Sequence, residues 1–273
     1  MDLSATLEML AAEPAAPVDL AEVALLIARD EYPHLDVEAY LKQLDGLAHE
    51  GRSYLGHSLE SQVAGLCRFL FHDVGLAGNQ KEYYDARNSF LNEVLDRLTG
   101  IPITLSLVTM AVGERLGMRI SGVALPGHFV AMAARGAQRI VFDPFNQGRR
   151  LEGGDCRLVV RESAGVDVDL TLAALEPAAP AAIVTRVLTN LKSCYLRDAD
   201  FSRAARVVRR LRQVVPGDLS QARDLGACYL QMGNPGKAIN AFTVYLEQAP
   251  AALDRKAVAK LLRKARSEVA RWN

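Results

Sequence analysis

Residues 101–117, IPITLSLVTMAVGERLG, and the runs that follow them, RISGVAL at 119–125, HFVAMAA at 128–134 and QRIVFD at 138–143, decide the fold of the larger part of this chain. Pro102 suits a first helical turn, and apolar residues lie on every side of the segment until Glu114. That pattern predicts a central helix (101–117) inside a domain rather than on its surface. After Gly117 the period becomes alternating and β-branched, broken by turn signals at Pro126-Gly127 and Arg135-Gly136. These runs are read as antiparallel strands of a small sheet spanning 119–146.

Upstream, residues 1–100 carry apolar positions at helical spacing. Start signals stand at Asp19 followed by Glu22, and at Ser58 ahead of SLESQVAGLCRFLF. A short helix, NSFLNEVLDRL, is expected to begin near Asn88 and to close at Gly100, where a glycine can take the left-handed conformation. Downstream, 153–180 is ambiguous and ends in LEPAAPAA, read as a domain junction.

Beyond the junction the chain repeats itself. Cys194-Tyr195-Leu196 returns as Cys228-Tyr229-Leu230, Leu191 as Leu225, Ala204 as Ala238 and Pro216 as Pro250. The period resembles that of the tetratricopeptide repeat, whose paired helices keep small residues where they touch. Leu225, Gly226, Tyr229, Ala238, Phe242 and Pro250 fall in its register, whereas Lys192 replaces a small residue and Val208 an aromatic in the earlier copy. The expectation is antiparallel helices from about Ala182, with a closing helix from about Asp254 to Trp272. The arginine-rich RAARVVRRLR is read as a solvated helix face.

Lysine plus arginine equal aspartate plus glutamate at 32 each, so no global field attracts phosphate backbones or anionic lipid. Direct nucleic-acid binding is therefore not expected. The acidic opening MDLSATLEML is unlike a secretory signal, and no run approaches the roughly 20 apolar residues of a membrane helix. Cys67, Cys156, Cys194 and Cys228 show no CxxC spacing and are read as reduced, which points to a cytoplasmic home without membrane attachment. No metal-ligand spacing and no glycine-rich phosphate loop is present, so no cofactor or metal is expected.

The residues that invite a chemical reading are Thr104 or Ser106 early in the buried helix, His128 after Pro-Gly, and Asp143 in VFDPFN. If Arg135 and Gly136 form a two-residue loop, 134 pairs with 137 and 128 falls opposite 143, so Asp143 orients the His128 imidazole. A one-residue shift of the loop keeps the two as diagonal neighbours on one face. Taken singly, Thr104 reads as a first-turn hydroxyl bonded to backbone, His128 as a structural histidine and Asp143-Pro144 as a turn. Their shared order makes a common site the stronger reading, with Asn88, Asn92 and Asn146 as cleft neighbours and Asn88 equally a helix cap.

A helix bearing a nucleophile, then a strand with histidine, then a strand with aspartate and proline is the order of the transglutaminase-like superfamily. The stretches YYDARNSFLNEVLDRLTGIPITLS, LPGHF and DPFNQG closely resemble its bacterial SirB-like branch, which also carries tetratricopeptide repeats. The resemblance implies an α+β chain: a papain-type domain (1–178) with a helical N-terminal part and a small antiparallel sheet, then an all-α repeat array (179–273). It maps the family's histidine to His128, its aspartate to Asp143 and its cysteine to Thr104, with Ser106 as the alternative. Neither hydroxyl is a thiol. A cysteine near pKa 8.5 becomes a thiolate beside an imidazolium, while an alcohol needs a general base as it attacks. The resemblance thus implies a non-catalytic or weakly active protein that binds a protein or peptide partner through its repeat groove. The competing reading is a Thr/Ser–His–Asp hydrolase or acyl transferase.

Overall fold

The computed structural model of the chain describes residues 2–171 and 174–271. Met1, Trp272 and Asn273, outer bounds of the expected domains, lie outside them, as do residues 172 and 173 of the ambiguous segment. The chain divides into two compact units, Ala15–Val187 and Met1–Pro14 together with Leu188–Asn273. The first helix, α1 (Leu3–Ala12), therefore belongs with the C-terminal residues and not with the N-terminal domain where the sequence reading put it.

Within 15–187, each early helix starts on a side chain that accepts otherwise unpaired N–H groups. Asp19 caps α2 (Leu20–Arg29), Asp36 caps α3 (Val37–Gly51) and Ser58 opens α4 (Leu59–Cys67) in a capping box with Ser61. The expected single helix over SLESQVAGLCRFLF instead widens after Cys67 into a π-helical stretch, Arg68–Asp73, where Val74 N–H reaches the Phe69 carbonyl. The all-helical reading of 1–100 also missed a small parallel pair, β1 (Ala77–Gly78) with β2 (Thr99–Gly100). Between them α5 (Leu91–Arg97) is closed by Leu98 in the left-handed conformation (φ 52°), not by Gly100, whose backbone is committed to that pairing.

The buried helix is α6 (Pro102–Arg115), sealed from solvent from Pro102 to Thr109. The sheet runs β3 (Arg119–Leu125), β4 (His128–Arg135), β5 (Gln138–Asp143) and β6 (Arg149–Leu151), antiparallel throughout. One face lies on α6. The other buries Val123, Val130, Met132 and Val141 against Cys156, Val159 and Val160 of α7 (Asp155–Ala164), a helix the sequence reading left open. The β4–β5 loop is Gly136-Ala137, with Arg135 paired to Gln138, one residue beyond the expected Arg135-Gly136. Gly136 takes φ 61° at the first loop position, where a two-residue loop of type II′ requires glycine.

The C-terminal residues form α8 (Pro180–Arg197), α9 (Phe201–Val214), α10 (Ser220–Gln231), α11 (Pro235–Gln248) and α12 (Arg255–Ala270). The tetratricopeptide register is visible in its packing. A Cβ on Gly226 would sit 2.6 Å from the Phe242 ring, so the glycine makes room for the aromatic. The earlier copy solves the same place differently: Lys192 sends its ammonium to Asp224 at 2.8 Å and Gln221 at 2.9 Å on α10, and the position equivalent to Phe242 is the smaller, fully buried Val208.

Helix α1 packs on α9, burying Leu3, Leu7 and Leu10, and Arg210 bonds Ser4 Oγ at 2.8 Å and Gln213. Part of the arginine-rich stripe is thus a structural tie.

Candidate active site

His128 opens β4 and Asp143 closes β5, beyond the last paired residues, Ala131 and Phe142. The one-residue loop shift leaves them diagonal, and the side chains meet: His128 Nε2 lies 2.8 Å from Asp143 Oδ2, with the histidine 7 % exposed and the aspartate fully buried. Asp143 is held from two further sides. Its Oδ2 accepts from Asn146 Nδ2 at 2.8 Å and its Oδ1 from Phe145 N–H at 3.0 Å, which makes it the cap of a 3-10 turn, Pro144–Asn146. The DPFN sequence is therefore a device for fixing one carboxylate. A carboxylate only accepts, so beside it a neutral imidazole carries its proton on Nε2 and leaves Nδ1 as an acceptor with no hydrogen-bond partner among the described residues.

Aromatic rings line this pair. Phe145 stands edge-on to His128 with centroids 6.0 Å apart, and Tyr83 packs on Phe145 at 6.1 Å. A Cβ on Gly78 would fall 2.6 Å from the Phe145 carbonyl oxygen, so the β1–β2 pair seats the ring. Sequence reading quoted Tyr83 and Phe145 within its motifs but gave neither a role; their place beside the histidine and aspartate motifs was the available signal.

Thr104 is not turned to His128. Its Oγ1 donates to the Asn88 carbonyl at 2.8 Å, lies 3.1 Å from the Ile101 carbonyl and accepts from Ile101 N–H at 3.1 Å. One hydroxyl has one proton, and this one is committed to backbone. The plain reading of a first-turn hydroxyl describes the residue better than that of a nucleophile. Ser106 lies about 200° further around α6, and its fully buried Oγ has no hydrogen-bond partner, hence none on His128.

Of the cleft asparagines only Asn146 joins the pair. Asn88 is not a helix cap; fully buried, it donates to the Glu82 and Tyr83 carbonyls and accepts from Asn79 and Arg97, pinning the 79–88 loop onto the start of α6. Asn92 is buried with an unpartnered Oδ1. Among the described residues no group of three or more His, Cys, Asp and Glu is arranged to hold a metal. The four cysteines are buried and form no disulfide, and burial pushes the Cys67 thiol up to about 12.

A model of the transglutaminase-like superfamily matches residues 38–189, and one of the tetratricopeptide repeat matches 191–263. The chain belongs to the transglutaminase-like superfamily. Within it, a UPF0162 protein of Xylella fastidiosa is 40 % identical over 240 residues, covering 85 % of this chain and 84 % of its own. A UPF0162 protein of Vibrio cholerae is 27 % identical, covering 81 % and 80 %. The superfamily likeness extends to mouse F-box only protein 21, 30 % identical over 146 residues, or 46 % of this chain and 23 % of that one. Among the described residues no helix is long and apolar enough to cross a membrane.

Proposed function

We propose that this protein keeps the histidine–aspartate half of a transglutaminase-like centre without a nucleophile, and acts by binding a protein or peptide partner. The observation that carries this reading is the Thr104 hydroxyl, whose single proton goes to the Asn88 carbonyl while the oxygen accepts from Ile101 N–H. An alcohol in that state must give up its bond to the Asn88 carbonyl before a base can take its proton, and His128 is not among its hydrogen-bond partners. The His128–Asp143–Asn146 cluster then serves to lock the ends of β4 and β5. The repeat array, a module that presents helical grooves, supplies the binding surface.

The finer assignment is to the SirB-like branch, supported by the YYDARNSFLNEVLDRLTGIPITLS, LPGHF and DPFNQG stretches; a regulatory role in the cytoplasm fits it. The hydrolase reading rests on Ser106, whose Oγ is uncommitted. An active-site hydroxyl probe separates the two. The purified protein is expected to take up no label. Labelling that disappears in His128→Ala would establish an enzyme and overturn the proposal.

A further inference from the structure

The outer face of α12 is built from charge of one sign. Val258, Leu262 and Ala265 form the buried seam of this helix. At 3.6 residues per turn the exposed Lys256, Lys260, Arg263, Arg266 and Arg271 all fall within about 140° of arc outside that seam, Arg266 bordering it, along about 22 Å of axis. None of the five has an ion pair among the described residues. Elsewhere in this unit several cations are matched: Lys192 with Asp224, Arg203 with Asp200, and Arg223 with both Asp224 and Asp254. On α12 the only acid is Glu268, 3.9 Å from Lys264, an exposed cation that borders the arc.

An exposed helix face needs polar groups for solubility, and mixed signs would serve that need. Here instead like charges stand at i, i+3 and i, i+4 spacing, as in Lys256–Lys260 and Lys260–Arg263, each pair weakening the helix slightly. Covering anions would relieve that repulsion. Residues 188–273 hold 16 Lys and Arg against seven Asp and Glu, while 15–187 hold 16 against 22, so charge is segregated along a chain that is neutral in total.

We infer that this face of α12 docks an acidic protein segment, with carboxylates spaced to meet the cations and an apolar residue set on Leu253. Leu253 stands fully exposed just ahead of the helix, an apolar anchor that a phosphate backbone would not use. Among the described residues the exposed arc holds no aromatic, Asn or Gln to stack on or read bases. A membrane surface is disfavoured because the helix spends its apolar side inside the protein and has none to insert. The inference rests on the reading of the protein as a binder, and names the surface and the partner's chemistry.

The test titrates the full-length protein with a fluorescent peptide of about 15 residues, glutamates at helical spacing and one terminal leucine, long enough to run beside α12. Binding is expected at low salt and should weaken steadily as salt rises. The triple variant Lys260→Glu, Arg263→Glu, Arg266→Glu should lose roughly tenfold or more in affinity, and Leu253→Ser several-fold. Circular dichroism and the unfolding midpoint check that the variants remain folded. An oligoribonucleotide or anionic vesicles bound more tightly than the peptide, with the same loss on charge reversal, would overturn the inference in favour of those partners. No peptide binding, or binding indifferent to charge reversal, would reduce the face to a solvated cap. The proposed function is judged separately, by the hydroxyl probe, whose chemistry at Ser106 and Thr104 no α12 substitution touches.

Discussion

The hydroxyl of Thr104 donates to the carbonyl of Asn88 across 2.8 Å, joining the first turn of α6 to the segment that precedes α5. It is one of the two hydroxyl residues, with Ser106, expected from the sequence to stand in for a nucleophile, and its hydrogen bonds are those of a clasp. The same Asn88 side chain secures the 79–88 loop, so the clasp and the loop share one residue.

Thr104→Val tests this role. It keeps the shape and removes the hydroxyl, leaving the Asn88 carbonyl and Ile101 N–H without that partner in a buried place. The expected cost is about 1–3 kcal/mol, read as a lower urea midpoint at unchanged slope. An unaltered midpoint would show that the clasp is dispensable.

The native thiols should be inert. Burial raises Cys67 to about 12 and, against the lowering effect of Lys192, Cys228 to about 11; Cys156 is raised by burial and by Asp155 and Asp143. A raised value means little thiolate near neutral pH, so iodoacetamide should modify them only as fast as the protein opens. Thr104→Cys would place a fifth thiol among the Asn88 and Ile101 carbonyls, which favour the protonated form. It should react no faster than Cys67, whereas rapid alkylation lost in His128→Ala would reveal a working cleft.

Acid should loosen the repeat unit through Asp200 and Asp218. Burial raises each carboxyl, but bonds from Arg203, and from Ser220 and Gln221, outweigh it and hold both below the usual range. A depressed folded value means the contribution is fully present above the unfolded carboxyl, about 3.9, and is lost as pH falls through the folded value. Asp218→Asn should therefore flatten the fall of the unfolding midpoint below about pH 4. An acid limb identical to wild type would remove Asp218 from the account.

Packing in the later repeat should tolerate no added carbon. Gly226→Ala directs a methyl at the Phe242 ring, and a bulky residue at the fully buried Ala238 overfills the same helix pair. Each should cost about 1–3 kcal/mol. At Lys192, the equivalent of Gly226, substitution by Gln should cost little packing but remove the bond to Asp224, so the loss should shrink with added salt. Salt-independent loss there would argue for packing instead.

The parts of the fold legible in the sequence are those written in local periods: the apolar run of α6, the alternation of β3 to β5, and the 34-residue echo from Cys194 to Cys228. The His128–Asp143 contact was also legible, because diagonal and direct neighbours share a sheet face and a one-residue loop error does not separate them. What stayed hidden depends on distant partners. Gly100 looks like a helix stop, yet its backbone pairs with Gly78 and Leu98 takes the left-handed conformation. The direction of the Thr104 hydroxyl was set by a carbonyl sixteen residues away, which no spacing rule reports. Nothing within LSATLEMLAA says that its leucines are meant for α9.

That last arrangement has a timetable. Ser4 and Arg210 are 206 positions apart, so at roughly 5–20 residues per second the ribosome delivers α1 on the order of 10–40 s before the helix that receives it. Residues 15–187 can complete a core of their own in that interval, while the leucine face of α1 waits uncovered. The nascent chain thus carries an uncovered leucine face while the residues between are made, and a chaperone that shields Leu3, Leu7 and Leu10 would act early for a unit that closes only when α9 follows.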